Sequence, residues 1–183
     1  EEAVWLGWVK HLATSDPVVS AKSVGASRSG AKTALRRLTH SQYDNTVRDL
    51  LGDRTYPSKQ FPQEDFIDGF KNQYPGQSVS PILAEAYAAA AEKLAADWHG
   101  NDPGAAFVTQ FGRRAFRRPL SKDEEARYGR LYRKSGARLA IEAMLQSPSF
   151  LYRVEKGGRF ARASRLSYLL WNTMPDEALL AAA

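Results

Sequence analysis

The 183 residues contain no cysteine, which excludes a disulfide framework, a thiolate metal site and covalent haem attachment within them. There is no apolar run of roughly 18 residues and no charged-then-apolar opening, so neither a membrane-spanning helix nor a secretory leader is expected in this sequence. Also missing are HExxH, GxSxG, CxxC and any glycine-rich phosphate loop. The histidines His11, His40 and His99 are far apart, and none has a second ligand one helical turn away. Ser147, Ser149 and Tyr152 lie near no histidine, and helix capping accounts for Ser147. The acids Glu64, Asp65 and Asp68 lack the alternating spacing of a calcium loop. No catalytic residue and no metal site is therefore expected. Convincing β alternation is absent too, and the remaining period is helical throughout.

What is present is ordinary for a folded protein: 43% hydrophobic and 25% charged residues, with a net charge of +6. That charge is compatible with an anionic membrane surface, an acidic protein or nucleic acid, and selects none of them. The length suits one sizeable core or two small ones. The first 14 residues carry Trp5 and Trp8 on the apolar side of a short helix, which marks them as candidate partner-docking residues. Residues 15–34 turn to Ser, Gly, Ala and Lys around Pro17 and read as a linker.

Beyond the linker the helix signals sharpen. Thr39 with Gln42 forms a capping box, Leu38 and Tyr43 a hydrophobic staple, and Gly52 a stop. Ser80 before Pro81 opens a second helix, with Leu83, Tyr87, Ala90, Leu94 and Trp98 on its seam. Ser147-Pro148 restarts the chain after a stripe of Ala137, Ile141, Met144 and Leu145. A helix over Ala161 to Trp171 and another opened by Pro175, Asp176 and Glu177 complete the pattern. The expected fold is all-α: multi-helix orthogonal or bundle-like modules joined by long irregular loops.

The most distinctive stretch is AFVTQFGRRAFRRPLSKDEEARYGRLY, Ala106 to Tyr132. If Ala105 to Arg117 is one helix, Phe107, Val108, Phe111 and Ala115 form an apolar stripe. Arg114 and Arg118 then fall on the apolar side, while Arg113 and Arg117 point to solvent. Ser121 and Glu124 form a second capping box after Pro119, and Glu124 and Glu125 share a face with Tyr128 and Leu131. The expectation is a structural clamp in which Arg114 and Arg118 bridge to Glu124 and Glu125, or to Asp44 and Asp49 of the first helix. The rival reading makes Arg113, Arg114, Arg117 and Arg118 a polyanion-binding patch. A patch of that kind wants its cations together on the solvent face, so no nucleic-acid partner is expected.

Five phrases in order carry a resemblance: LRRLTHSQYDNTVRDLLG (Leu35 to Gly52), SVSPILAEAYAAAAEKLA (Ser78 to Ala95), FVTQFGRRAFRRPLSKDEEARY (Phe107 to Tyr128), AIEAMLQSPSFLYRVE (Ala140 to Glu155) and ASRLSYLLWNTMPDEALLAAA (Ala163 to Ala183). They resemble a family of large secreted proteins from Planctomycetes, Acidobacteria and myxobacteria, built from consecutive domains of unknown function numbered 1587, 1595 and 1592. The resemblance implies a module of the first kind at 35–99, a helical hairpin of the second at 103–135, and the start of the third at 137–183. It departs from the family at Gly69-Phe70-Lys71-Asn72, where GFDN is usual, and in short connections around Trp98 to Ala105, Lys134 to Ala137 and Glu155 to Ala161.

Members commonly carry a c-type cytochrome domain upstream, and Glu1 to Thr14 resembles its closing helix. The resemblance thus implies a periplasmic or extracellular setting and a link to electron transfer. Haem c would sit on an upstream domain or a partner, with no cofactor in this chain. The partners would be other protein subunits or that cytochrome domain, with contact to a membrane complex. The implied role is a non-catalytic scaffold or docking region.

Overall fold

A computed structural model describes residues 35–64, 79–154 and 157–183. The expectations for Trp5, Trp8, His11, the linker at 15–34 and Gly69 to Asn72 lie outside the described residues. In chain order the elements are β1 (Leu35–Arg37), α1 (His40–Leu51), a 3-10 turn (Pro57–Gln60), α2 (Pro81–Ala96), a second 3-10 turn (Gly104–Ala106), α3 (Phe107–Ala115), α4 (Lys122–Leu145), α5 (Pro148–Leu151), β2 (Tyr152–Val154), α6 (Arg159–Leu170) and α7 (Glu177–Ala182). The fold is mostly all-α.

The helix starts are local chemistry. Thr39 accepts from the Gln42 N–H while the Gln42 side chain accepts from the Thr39 N–H, and the reciprocal pair recurs between Ser121 and Glu124. Ser80, Ser147 and Asp176 cap α2, α5 and α7 through their side chains. Gly52 stops α1 at φ 83°, in the left-handed region where a side chain would be strained.

α4 is the hub, with α2 and α3 both packed along it. It is two helices joined at a kink, because Gly136 at φ 78° and ψ −177° interrupts the helical backbone. Only glycine occupies that conformation readily. Beyond the break Ala140, Ile141, Met144 and Leu145 are buried together with α2's Leu83, Tyr87, Ala91 and Leu94. An aromatic cluster closes the core near α1, where Tyr43 meets Phe61 at 5.1 Å, Tyr87 at 5.5 Å and Phe150 at 5.9 Å between ring centroids.

The expectation of no strand is corrected at one place. β1 and β2 pair antiparallel with Leu35 opposite Val154, Arg36 opposite Arg153 and Arg37 opposite Tyr152. The Leu38 N–H continues the ladder to the Leu151 carbonyl at 2.8 Å. Three residues a side are too few to display alternation, and the partners are distant in sequence, so no local pattern announces the pair.

Candidate functional site: an arginine junction and its cleft

The end of α3 sets the geometry. Phe107, Val108, Phe111, Gly112 and Ala115 are its buried face, and the helix stops at Ala115, with Phe116 as its C-cap. Arg117 then adopts φ 57°, a left-handed conformation usually left to glycine or asparagine at this position after a helix. The chain leaves the helix axis there, and the Arg117 side chain turns inward. It is 3% exposed, which corrects the expectation of a solvent-facing arginine. The helical wheel that placed it outside applies only to residues still in the helix, and Arg117 is not one of them.

Arg117 is held by neutral groups. Its Nη2 donates to the carbonyls of Ser149 at 2.8 Å, Phe150 at 3.0 Å and Tyr152 at 2.8 Å, and its Nη1 donates to the Tyr168 hydroxyl at 3.3 Å. The Ser149 and Phe150 carbonyls are available because α5 is a single turn whose last C=O groups have no partner within the helix, and that of Tyr152 follows at the start of β2. The guanidinium therefore caps α5 from the side, at the negative end of its dipole. Its central carbon also lies 6.0 Å from the Phe150 ring centroid and 5.8 Å from that of Tyr168.

Arg118 does make a clamp. It meets Glu124 in a two-pronged bridge of 2.8 and 2.7 Å, and donates to the Ser149 hydroxyl at 3.2 Å. Glu124 also accepts the Ser121 N–H at 2.7 Å, so one carboxylate serves the capping box and the bridge. Burial pushes its carboxyl up, but the bonds from Arg118 and Ser121 outweigh that and hold it below the ordinary glutamate value.

The other expected members part company. Glu125 is exposed and makes no ion pair among the described residues. Arg114, half-buried, donates to the backbone carbonyl of Asp49 at 2.6 Å rather than to a carboxylate of α4. Arg113 bridges to Glu177 at the start of α7. Asp44 accepts from Ser58 instead of an arginine. Arg113 and Arg114 thus reach separate elements, Arg117 and Arg118 converge on Ser149, and the four do not share one solvent face.

Several members of the junction carried no sequence signal. Tyr168 of α6 bonds to Thr46 of α1 at 2.8 Å as well as to Arg117. Arg153 of β2, 8% exposed, lies 5.0 Å from the Tyr168 ring centroid. Beside them opens a cleft of about 80 Å³, lined by Arg117, Arg118, Arg153, Ser149 and Ser164 with an apolar wall that includes Leu35, Phe116, Val154 and Phe160. His40 and His99 stand apart from it: His40 packs its ring 5.4 Å from Phe61, and His99 is exposed. Among the described residues no three His, Cys, Asp or Glu side chains are grouped to hold a metal, and no helix is long and apolar enough to cross a membrane.

Thr46, Arg117 and Tyr168 come from three separate stretches, and comparison with known families gives those stretches names. Residues 36–99 match PSD3, a protein of unknown function (DUF1587), residues 104–155 match PSD5 (DUF1595), and residues 158–183 match PSD4 (DUF1592). The three matches follow in tandem between residues 36 and 183. No curated protein and no solved structure matches it. The DUF1595 match continues past Gly136 to residue 155, so the stretch 137–155 falls with the second domain rather than the third. The junction is accordingly the place where the three domains meet. Asn172 of the DUF1592 segment adds to it, its carbonyl accepting from Asn45 at 3.1 Å and its side chain donating to Ser41 at 3.2 Å. Thr173 donates to Asp49 at 2.6 Å in the same seam.

Proposed function

We propose that this tandem is a non-catalytic docking region of a larger extracytoplasmic assembly associated with a c-type cytochrome. The carrying observation is the outer face of α6. Leu166 is 45% exposed, Leu169 77%, Leu170 59% and Trp171, just past the helix end, 61%. At 100° per residue the three leucines share one arc with the exposed Arg162 and Arg165. A large apolar patch rimmed by charge is the usual mark of a protein contact rather than of a solvated surface. The hydrogen-bonded seam between the three domains supports the same reading, since a scaffold must hold its docking face in a fixed place. The electron-transfer setting and the haem on an upstream domain or partner rest on the family resemblance and belong to the proposal.

The polyanion alternative has less to stand on, because Arg117 is buried and Arg118 is committed to Glu124. The test is site-specific photo-crosslinking in the cell that makes the protein, from position 169 and from the exposed Arg133 as control. The expected result is one discrete adduct from position 169 that stains for covalent haem. Equal adducts from both positions, or none from 169, would overturn the proposal.

A further inference from the structure

The cleft beside the arginine junction is built partly from the inner face of α6, and what it can bind does not depend on the docking role of that helix's outer face. Its described lining residues include three arginines and no aspartate or glutamate. The nearby Glu124 neutralises Arg118, so the positive potential of the cleft comes from Arg117 and Arg153. Arg117 is buried with three carbonyls and a phenol as its hydrogen-bond partners, all of them neutral. Neutral dipoles satisfy a guanidinium's donors without cancelling its charge, so the positive potential persists in a region of low dielectric.

A second observation points to a ligand. Ser164 is 5% exposed, lines the cleft, and its hydroxyl has no hydrogen-bond partner among the described residues. A buried hydroxyl left unsatisfied costs about 1–3 kcal/mol, so it is rarely kept without something to bond. The volume of about 80 Å³ is several times the roughly 10–15 Å³ of such space that one water needs. The apolar wall of Leu35, Val154 and Phe160 is wasted on a fully hydrated ion.

We infer that the cleft binds a small organic carboxylate, its oxygens toward Arg153 and the Ser164 hydroxyl in the field of the buried Arg117, and its apolar body against the opposite wall. A carboxylate matches the charge and accepts hydrogen bonds, and the attached body uses the wall that phosphate would leave unfilled.

The test is isothermal titration of the purified chain with benzoate, and separately with inorganic phosphate, at constant ionic strength. Saturable one-to-one benzoate binding is expected, at least tenfold tighter than phosphate. Ser164→Ala should weaken it about tenfold, the loss of one hydrogen bond to a charged group, and Arg153→Met by at least as much. Arg113→Ala, outside the cleft, should leave it unchanged. Thermal melts of each variant separate lost binding from lost folding, and Ser164→Ala, a small truncation, is the variant expected to fold intact. Phosphate binding as tightly as benzoate would overturn the carboxylate assignment. Absence of saturation, or unchanged affinity in a folded Ser164→Ala, would overturn the site.

Discussion

Arg113 and Arg114 lie within α3, Arg117 and Arg118 just beyond it, and this short step separates two kinds of arginine. The first pair reaches outward to neighbouring elements, with Arg113 on Glu177 and Arg114 on the Asp49 carbonyl. The second pair turns under the chain, with Arg117 on the carbonyls around α5 and Arg118 on Glu124. The residue type is the same and the sequence context nearly repeats. What differs is whether the backbone is still helical, since one left-handed residue redirects the side chains that follow it. Arg117 is the one of the four that is buried, by the helix stop and not by hydrophobic periodicity, while Arg113 and Arg118 keep equal exposure at 33% and differ in partner.

The largest effect should come from Arg117. Arg117→Ala strands acceptors at Ser149, Phe150 and Tyr152 together with the Tyr168 hydroxyl. Losing them should destabilise the fold by about 3 kcal/mol, read as a shift of the urea midpoint. Arg117→Gly removes the same bonds but relieves the positive φ, so it should be less damaging than Arg117→Ala by about 1 kcal/mol. Two variants of equal stability would mean that the left-handed turn carries no strain, and the contrast between the two arginine pairs would lose its physical basis.

Next comes the bridge. Arg118→Met leaves Glu124 buried without its cation, at about 2 kcal/mol after allowing for an Arg118 side chain that is 33% exposed. The pH dependence fixes the cause. The Glu124 carboxyl is held below its ordinary value, so the folded state binds its proton less readily than the unfolded chain does. The stability this supplies is present above the ordinary glutamate value of 4.5 and lost as pH falls through the lowered one. The gap between wild type and variant should therefore be full at neutral pH and close in acid. A gap independent of pH would assign the loss to packing instead.

How much of this was legible in the sequence follows from range. The capping boxes at Thr39 and Ser121 were readable because each closes within three residues. The seam of α2 was readable because its period runs for several turns, although Ala91 and Ala95 are buried where Ala90 and Trp98 are only partly so. Arg117 was misplaced because a wheel extrapolated past Ala115 assigns a face to a residue outside the helix. Pro119 disfavours helix at Arg118 but does not say that the stop falls earlier still. Thr46, Arg153, Ser164 and Tyr168 gave no signal, since each joins the junction only once three separate domains have been brought together. Gly136 was visible as a break but not as a kink inside one domain.

Glu142 supplies the counter-case to Glu124 on the same helix. It is 7% exposed and makes no ion pair among the described residues, and burial together with Glu92 pushes its carboxyl up despite Arg138. Here the folded state holds the proton more tightly than the unfolded chain. Stability from this group is thus full below the ordinary value of 4.5 and lost as pH rises through the raised one. Glu142→Gln should stabilise the protein by about 1 kcal/mol at neutral pH, the scale of a modest carboxyl shift, with the advantage vanishing in acid. Thermal melts at neutral and acid pH check it, and a destabilised Glu142→Gln at pH 7 would show that the charge is satisfied after all.

The smallest effect belongs to Arg113. It leaves α3 on the outer side and bridges to Glu177, with side chains 33% and 61% exposed. Both groups are well hydrated, so their attraction is screened and largely offset by the entropy of holding two long side chains. Glu177 also keeps a favourable place without its partner, in the first turn of α7 at the positive end of the dipole. Arg113→Ala should therefore change stability by no more than about 0.5 kcal/mol at low salt, and molar salt should abolish even that difference. A loss comparable to that of Arg117→Ala would mean that the bridge holds α7 in place. The distinction between Arg113 and Arg117 would then be one of partner rather than of burial.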